Sequence, residues 1–157
     1  MTMEAEIRLA GPADLAAVEE IVGAAYTPWI EIIGMRPMPL EGDYAALIEA
    51  GHVFVAGPAP ARALIVLIPE DERLLVDNVA VRPELHGQGV GRRLLAFAED
   101  RARALGKPGT RLITNERMTT NIALYERLGY RETGRELING RSVVHMAKDL
   151  ETPGGNG

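Results

Sequence analysis

The sequence of 157 residues contains no cysteine and few aromatic residues (4%), and its formal net charge at pH 7 is −5. Without cysteine, a disulfide-stabilised fold, a thiolate nucleophile and a cysteine-ligated zinc site are excluded. An acidic chain with seven aromatic residues also argues against a nucleic-acid-binding module, which uses positive charge and stacking. The histidines are too scattered along the chain to suggest a metal site; they are His52, His86 and His145.

Long hydrophobic runs are also missing. The longest, Ala63–Ile68, is far shorter than the roughly 20 residues of a membrane span and predicts a buried strand. Residues 1–10 carry Glu4, Glu6 and Arg8 and lack the pattern of a secretory signal, so we expect a cytoplasmic protein with no membrane partner. The length fits one domain over residues 1–150, with a disordered tail over 151–157.

The charges are distributed unevenly. Residues 1–50 hold nine acidic and two basic side chains, whereas residues 82–131 hold five acidic and ten basic ones. The first of these regions therefore repels anions and the second attracts them. An ordinary solvated surface is the alternative reading.

Hydrophobic periodicity predicts an α/β fold, a mixed sheet with helices on its faces. The predicted strands are Ile7–Leu9, His52–Ala56, Ala63–Ile68, Leu74–Val81, Arg111–Thr114, Tyr130–Leu137 and Arg141–Lys148. The predicted helices run from Gly11-Pro12 to about Tyr26, from Asp43 to Ala50, from Val90 to Leu105 and from Thr120 to Leu128. Residues 27–42, rich in proline and glycine, predict a broken helix and a mobile, partly apolar flap.

An apolar strand is followed by a short turn and then by alternating glycines at the start of a helix, in Val79-Ala80-Val81-Arg82-Pro83-Glu84-Leu85-His86-Gly87-Gln88-Gly89-Val90-Gly91-Arg92. Unpaired amides at a helix start bind anions, and Arg92 offers a charge-assisted contact to phosphate. The nucleoside-triphosphate loop is excluded because no Lys-Ser/Thr pair follows the last glycine. The dinucleotide fingerprint is excluded because Arg92 stands where its third glycine belongs. A glycine-rich turn without a ligand is the remaining alternative.

At this string the chain resembles the GNAT superfamily of N-acetyltransferases, which bind acetyl-CoA through a strand, a [Q/R]-x-x-G-x-[G/A] loop and a helix. Here the loop is His86-Gly87-Gln88-Gly89-Val90-Gly91, with His86 at the usual Gln/Arg position. The likeness continues from Asn121 to Tyr130. It implies the acyl-CoA N-acyltransferase fold, a mixed, mostly antiparallel sheet of six to seven strands flanked by about four helices.

The resemblance also implies an activity: direct transfer of acetyl from acetyl-CoA to a primary amine on a small molecule or peptide, without a metal. The backbone of Val79, Ala80 and Val81 would pair with the pantetheine arm and supply the oxyanion donor. The pyrophosphate would lie on the loop residues His86, Gly87, Gln88, Gly89, Val90, Gly91 and Arg92. A homodimer is common in the family. A non-catalytic acyl-CoA sensor that controls a partner protein is the competing hypothesis.

By the same resemblance, Tyr125 stands at the position of the general acid, which protonates the departing thiolate. A phenol of pKa about 10 facing a thiol of about 8.5 makes this transfer uphill by roughly 2 kcal/mol, which a preorganised hydrogen bond can offset. The alternative is that Tyr125 is only a packing residue of an amphipathic helix. The asparagine that often begins this motif is replaced by Met118, so Asn121 is expected either to contact the cofactor or to cap and pack.

The general base is left open. The position where the family often has a glutamate corresponds to Ile113. Asp77, in the middle of the apolar stretch Leu74–Val81, is a candidate because burial would raise its pKa toward the range of a base. A β-bulge or an edge contact at Asp77 and Asn78 is the structural alternative. Glu31, Glu116 or water alone are the other options.

The acceptor side is expected in the flap. Trp29, Tyr26 and Ile33 are candidates for lining an acceptor pocket, with core packing as the competing interpretation. An ammonium group would be attracted by the acidic side chains of the same region, namely Glu31, Glu41 and Asp43. His52 and His145, inside predicted strands, are expected to be structural.

Overall fold

The structure is a computed structural model that describes residues 6–151. Apart from Glu151, the tail predicted to be disordered therefore lies outside the described residues. The chain divides into two compact units, which we describe separately. The first contains the residues up to Leu67 and Asn78–Phe97, and the second contains Ile68–Asp77 and the residues from Ala98 onward.

Seven strands are present in the described part of the chain: β1 Ile7–Leu9, β2 Val53–Ala56, β3 Ala63–Pro69, β4 Arg73–Val81, β5 Gly109–Asn115, β6 Arg131–Ile138 and β7 Arg141–Asp149. Five α-helices accompany them: α1 Leu15–Tyr26, α2 Trp29–Ile33, α3 Tyr44–Glu49, α4 Val90–Ala104 and α5 Thr119–Arg127. Short 3-10 helices cover Pro12–Asp14, Met38–Glu41 and Pro83–Leu85. Hydrogen bonding orders the sheet β1-β2-β3-β4-β5-β7-β6.

In the first unit, antiparallel pairing joins β1 to β2 and β2 to β3, with Ile7 opposite Ala56 and Val53 opposite Val66. The first five residues of β3 are all buried, as the apolar run predicted. The buried side chains of α1 recur at helical spacing and include Val18, Ile21 and Val22. These buried apolar side chains supply the core of this unit.

In the second unit, β4 and β5 pair in parallel from Arg73 opposite Gly109 to Val76 opposite Leu112. β7 pairs antiparallel with both β5 and β6. Asn139 and Gly140 have φ of 51° and 81°, the left-handed values that a tight hairpin turn requires. The predicted final hairpin is confirmed.

The helix after the glycine loop has one buried face, as its spacing predicted. Val90, Leu94, Leu95, Ala98 and Ala102 are all buried. Leu105, the predicted last residue of this helix, is 43% exposed and lies outside α4, which ends at Ala104.

The flap contains a broken helix, as predicted. α1 ends at Tyr26, α2 follows after two residues, and Gly34 stops α2 with a left-handed φ of 87°. Because α2 counts separately, the described residues hold five helices where about four were expected. None of these helices has the length and apolarity needed to span a membrane.

Candidate active site

Strand β4 carries the first part of the site, and its pleat decides which polar residue is buried. Leu74, Val76 and Ala80 lie on one buried face, and Asn78 shares their parity and is 5% exposed. Asp77 has the opposite parity and is exposed. The prediction of a buried Asp77 is therefore wrong, and burial gives it no reason to become a base.

The carboxamide of Asn78 joins two tyrosines of the first unit. The single hydrogen of the Tyr26 hydroxyl is shared between two acceptors, Asn78 Oδ1 at 2.6 Å and the Val79 carbonyl at 3.0 Å. Asn78 Nδ2 donates to the Tyr44 hydroxyl at 2.9 Å, and that hydroxyl donates to the Pro39 carbonyl at 2.7 Å. Tyr26 is thus a buried core residue whose hydroxyl is hydrogen-bonded to protein groups. This agrees with core packing, the alternative to lining an acceptor pocket.

The loop after β4 is shaped by its glycines. Gly87 and Gly89 have φ of 85° and 79°, conformations that other residues adopt only with strain. The His86 amide bonds to the Pro83 carbonyl at 3.1 Å and the Gln88 amide to the Leu85 carbonyl at 3.3 Å. Residues 86–89 are all exposed.

The remaining amides of this loop have no acceptor within residues 6–151; they belong to Gly87, Gly89, Val90, Gly91 and Arg92. They lie at or just before the start of α4, where the helix dipole is positive. The first hydrogen bond across this boundary runs from the Arg93 amide to the Gly89 carbonyl at 3.1 Å. The loop therefore presents a group of donors suited to an anion.

Gly91 is a glycine that the chain itself does not require. It lies in the first turn of α4, its φ is not left-handed, and a Cβ would meet no protein atom within 4 Å. A glycine costs a helix about 1 kcal/mol relative to alanine. The open space beside it accommodates a group that approaches the backbone closely, so the loop fits a bound pyrophosphate.

The other predicted ligand residues of the first unit directly precede or follow this loop in the sequence. Val79 and Val81 are half-buried and Ala80 is buried, so the strand has one partly accessible face. Arg92 is exposed and makes no ion pair within the described residues.

Tyr125 lies in the second unit, on α5. Its ring packs edge-to-face against Tyr130, with centroids 5.9 Å apart. It is partly exposed, yet enough protein surrounds the hydroxyl that burial, with a smaller contribution from the charge of Tyr130, raises its pKa to about 12. Tyr125 is therefore a neutral hydrogen-bond donor at any ordinary working pH.

The four tyrosines differ in what their hydroxyls do. Those of Tyr26 and Tyr44 belong to the Asn78 network, and that of Tyr130 bonds to Thr110 Oγ1 at 2.7 Å. The Tyr125 hydroxyl has no hydrogen-bond partner in residues 6–151. Since no fully buried side-chain oxygen in those residues lacks a partner, this hydroxyl reaches solvent. Its proton is available to a ligand.

Asn121 is held within its own helix turn. Its side-chain amide donates to Met118 Sδ at 3.7 Å, and its backbone amide bonds to the Met118 carbonyl at 3.1 Å. Met118 is buried and also accepts from the Thr114 hydroxyl at 3.8 Å. The local contacts of Asn121 are those of a packing residue, and its predicted contact with a cofactor stays a prediction.

Several acidic candidates are engaged elsewhere. Glu116 Oε1 accepts from the Ser142 hydroxyl at 2.7 Å and from Arg135 at 3.4 Å. Asp43 caps α3 by accepting from the Ala46 amide at 3.1 Å.

The remaining flap and histidine candidates differ in exposure. Glu31 is exposed, and Trp29 and Ile33 are half-buried. The His145 ring contacts Glu136 across the β6–β7 hairpin, in keeping with a structural role.

Sequence reasoning missed Asn78 and Tyr44 as site residues. The signal for Asn78 was present: it shares the parity of Leu74, Val76 and Ala80 within an apolar strand. No local signal pointed to Tyr44, which is 34 residues from Asn78 along the chain.

Comparison with known proteins identifies the family and the fold. The profile of the Acetyltransferase (GNAT) domain matches residues 49–132, slightly more than half of the chain. An IAA acetyltransferase of Azospirillum brasilense is 41% identical over 59 residues, which are 38% of this chain and 39% of that protein. This match thus spans about two fifths of the relative's length.

Among solved structures, the PaiA N-acetyltransferase of Thermoplasma acidophilum, determined in complex with coenzyme A, superposes with a TM-score of 0.75. It is 17% identical, with 96% of this chain and 100% of that chain covered, and so shows the fold. Nourseothricin acetyltransferase is 25% identical with a TM-score of 0.59, over 63% of this chain and 65% of that one. The predicted family and fold class are confirmed, and the chain belongs to the GNAT family of acetyltransferases.

Proposed function

We propose that this protein transfers an acetyl group from acetyl-CoA to a primary amine, in a complex that holds both substrates at once. The observation that carries the proposal is the group of loop amides from Gly87 to Arg92, Gln88 excepted, that have no acceptor within residues 6–151. The glycine at 91, which the fold does not require, supports the same ligand. Family membership supplies the reaction class.

The loop would hold the pyrophosphate of the co-substrate. Hydrogen bonds to charged groups contribute on the order of 1.5–3 kcal/mol each, and several of these amides can act together. The exposed side chain of Arg92 would add a charge-assisted contact, and His86 and Gln88 are exposed on the same loop. The backbone of Val79, Ala80 and Val81 would pair with the pantetheine arm.

The reaction balances without a covalent enzyme intermediate. The amine nitrogen attacks the thioester carbonyl carbon, a backbone amide near Val79 stabilises the oxyanion, and the C–S bond breaks as the amide forms. Tyr125 donates its proton to the departing sulfur and is reprotonated from solvent. We choose Tyr125 because its hydroxyl, unlike those of the other three tyrosines, is uncommitted within residues 6–151.

The raised pKa of Tyr125 changes the energetics of that step. With a phenol at about 12 and a thiol at about 8.5, full transfer is uphill by about 5 kcal/mol, more than the roughly 2 kcal/mol expected from the sequence. Tyr125 therefore acts chiefly as a hydrogen-bond donor to the sulfur as negative charge develops, with the proton following as the thiol leaves. Product release and reprotonation then complete the step.

Removal of the amine proton is assigned to water. Asp77 is exposed, and Glu116 is occupied by Ser142 and Arg135. Solvent suffices where an amine arrives with a small neutral fraction. Neither Asp77 nor Glu31 is required as a base in this scheme.

The test is a thiol-release screen with acetyl-CoA and a panel of amines: polyamines, amino acids, amine-bearing antibiotics and peptides with a free N-terminus. We expect at least one amine to raise thiol release well above the amine-free background, with one acetyl amide formed per thiol. Coenzyme A binding in calorimetry without turnover of any amine would favour the acyl-CoA sensor instead. Failure to bind coenzyme A would overturn both hypotheses.

A further inference from the structure

Asn78 is a polar residue that the core of the first unit does not need. It is 5% exposed on a strand face otherwise occupied by Leu74, Val76 and Ala80. A buried carboxamide costs free energy unless it is hydrogen-bonded, and an apolar residue of similar size can be as stable. What Asn78 adds is a set of directional bonds.

These bonds reach both ends of one segment. Tyr26 is the last residue of α1, and Tyr44 is the first residue of α3. Residues 27–43 between them, which we call the acceptor segment, include α2 and the 3-10 helix Met38–Glu41. Through Tyr44 the network also binds the Pro39 carbonyl, so it contacts this segment at its ends and in its interior.

The network has a second arm, which ends on β4 itself. The Tyr26 hydroxyl donates to the carbonyl of Val79, the residue whose backbone the proposed function assigns to the acyl donor. Because a peptide group is planar, fixing that carbonyl also fixes the orientation of the peptide bond after Val79. One carboxamide thus links the acyl-donor strand to the acceptor segment.

We propose that Asn78 is a positioning residue that sets the acceptor segment in register with β4, so that amine binding and acetyl transfer both depend on its carboxamide. This inference depends on the proposed function for the identity of the two substrates. The exposed Ile32, at 52%, and the half-buried Trp29 give the segment apolar surface for the carbon skeleton of an amine. The bond to Tyr44 positions the acceptor segment, and the bond from Tyr26 to Val79 positions the strand assigned to the acyl donor.

The arms predict separable kinetic effects with an amine that the wild-type protein acetylates. Tyr44→Phe should raise the KM for the amine about fivefold and leave kcat within about twofold. Tyr26→Phe should lower kcat about fivefold and leave that KM within about twofold. Asn78→Leu, which keeps the volume and removes the bonds of the carboxamide to both tyrosines, should change both parameters, with coenzyme A affinity retained.

Hydrogen exchange of the free protein tests the same coupling without turnover. Tyr44→Phe should speed exchange in residues 38–44 and spare residues 79–82, and Tyr26→Phe should do the reverse. Asp14→Ala is the matched control: it removes the Arg8–Asp14 ion pair of the same unit and should lower stability without moving these readouts.

The inference is overturned if the tyrosine and asparagine variants lower the thermal midpoint as the control does, but KM, kcat and the local exchange rates all stay at their wild-type values. If the wild-type protein releases no thiol with any amine, the proposed function fails. The hydrogen-exchange experiment then tests the coupling by itself. Faster exchange confined to residues 38–44 in Tyr44→Phe and to residues 79–82 in Tyr26→Phe supports the coupling, and equal changes in both regions overturn it.

Discussion

The glycine loop and the Asn78 network lie within a few residues of each other on the chain, yet their polar groups are used in opposite ways. Around Asn78, the side-chain amide and the hydroxyls of Tyr26 and Tyr44 are engaged with protein partners. In the loop, the amides from Gly87 to Arg92, Gln88 excepted, have no acceptor among the described residues. The first region satisfies its own polar groups, whereas the second leaves backbone donors that the proposed function assigns to a ligand.

This difference predicts how substitutions behave. A change in a satisfied network leaves a buried donor or acceptor without its partner and costs stability. A change in a loop whose amides face open space costs binding and leaves the fold nearly unaffected. The same contrast recurs in the second unit, between the Tyr130 hydroxyl, which bonds to Thr110, and the Tyr125 hydroxyl, which has no hydrogen-bond partner among the described residues.

The largest expected effect is at Gly91. Gly91→Leu should reduce coenzyme A affinity by more than about 100-fold, because the side chain fills the space the phosphates need, while helix propensity keeps stability equal or up to roughly 1 kcal/mol higher. Calorimetric titration and urea unfolding measure the two quantities. Gly91→Ala is the matched control, since the family motif allows alanine there. Gly89 is less suitable because its φ of 79° makes a substitution strained.

If Gly91→Leu binds coenzyme A as tightly as the wild type, the loop is only a turn. Loss of affinity together with a large loss of stability would mean that the fold, and not a ligand, requires this glycine.

The second effect concerns the tyrosine pair. Tyr125→Phe should lower kcat about 100-fold, the lower range for loss of a general acid, with coenzyme A affinity and stability at pH 7 unchanged. Tyr130→Phe should instead cost roughly 1–3 kcal/mol of stability at pH 7, because the Thr110 hydroxyl loses its partner. Thiol-release kinetics and urea unfolding distinguish them. Undiminished turnover by Tyr125→Phe would remove it from the mechanism.

The smallest effect is on alkaline stability. Burial raises the pKa of Tyr130 to about 12, above the value of about 10 in an unfolded chain. The folded state therefore keeps its proton longer, so stability is constant up to about pH 9 and falls between pH 10 and 12, by at most about 1.4 kcal/mol per pH unit for each such group. Urea unfolding at pH 7 and pH 11 measures this loss.

Tyr130→Phe should make that alkaline decline less steep, with the remaining slope due to Tyr125, whose pKa burial also raises to about 12. An equally steep decline in the variant would show that Tyr130 does not titrate with the predicted shift.

How far the sequence predicts this molecule depends on the range of the contacts. The loop, α4 and the final hairpin were predictable because local spacing and turn chemistry determine them, as Gly91 and Asn139-Gly140 show. The Asn78 network joins residues 34 and 52 positions apart, and nothing local announces such bonds. Neighbouring strand residues face opposite sides of the sheet, so Asn78 is buried and Asp77 is exposed. The sequence-based prediction placed the wrong one of the two in the buried polar position.

The central claim, that the loop amides bind the pyrophosphate of the co-substrate, is tested most directly by nuclear magnetic resonance of the amides of Gly87, Gly89 and Gly91 during titration with coenzyme A. We predict that all three amide resonances shift and that the shifts saturate at the coenzyme A concentration where calorimetry shows binding. In Gly91→Leu, the same titration should leave the amide resonances of residues 87, 89 and 91 unchanged. Saturable binding of coenzyme A with all three wild-type amides unmoved would contradict the claim.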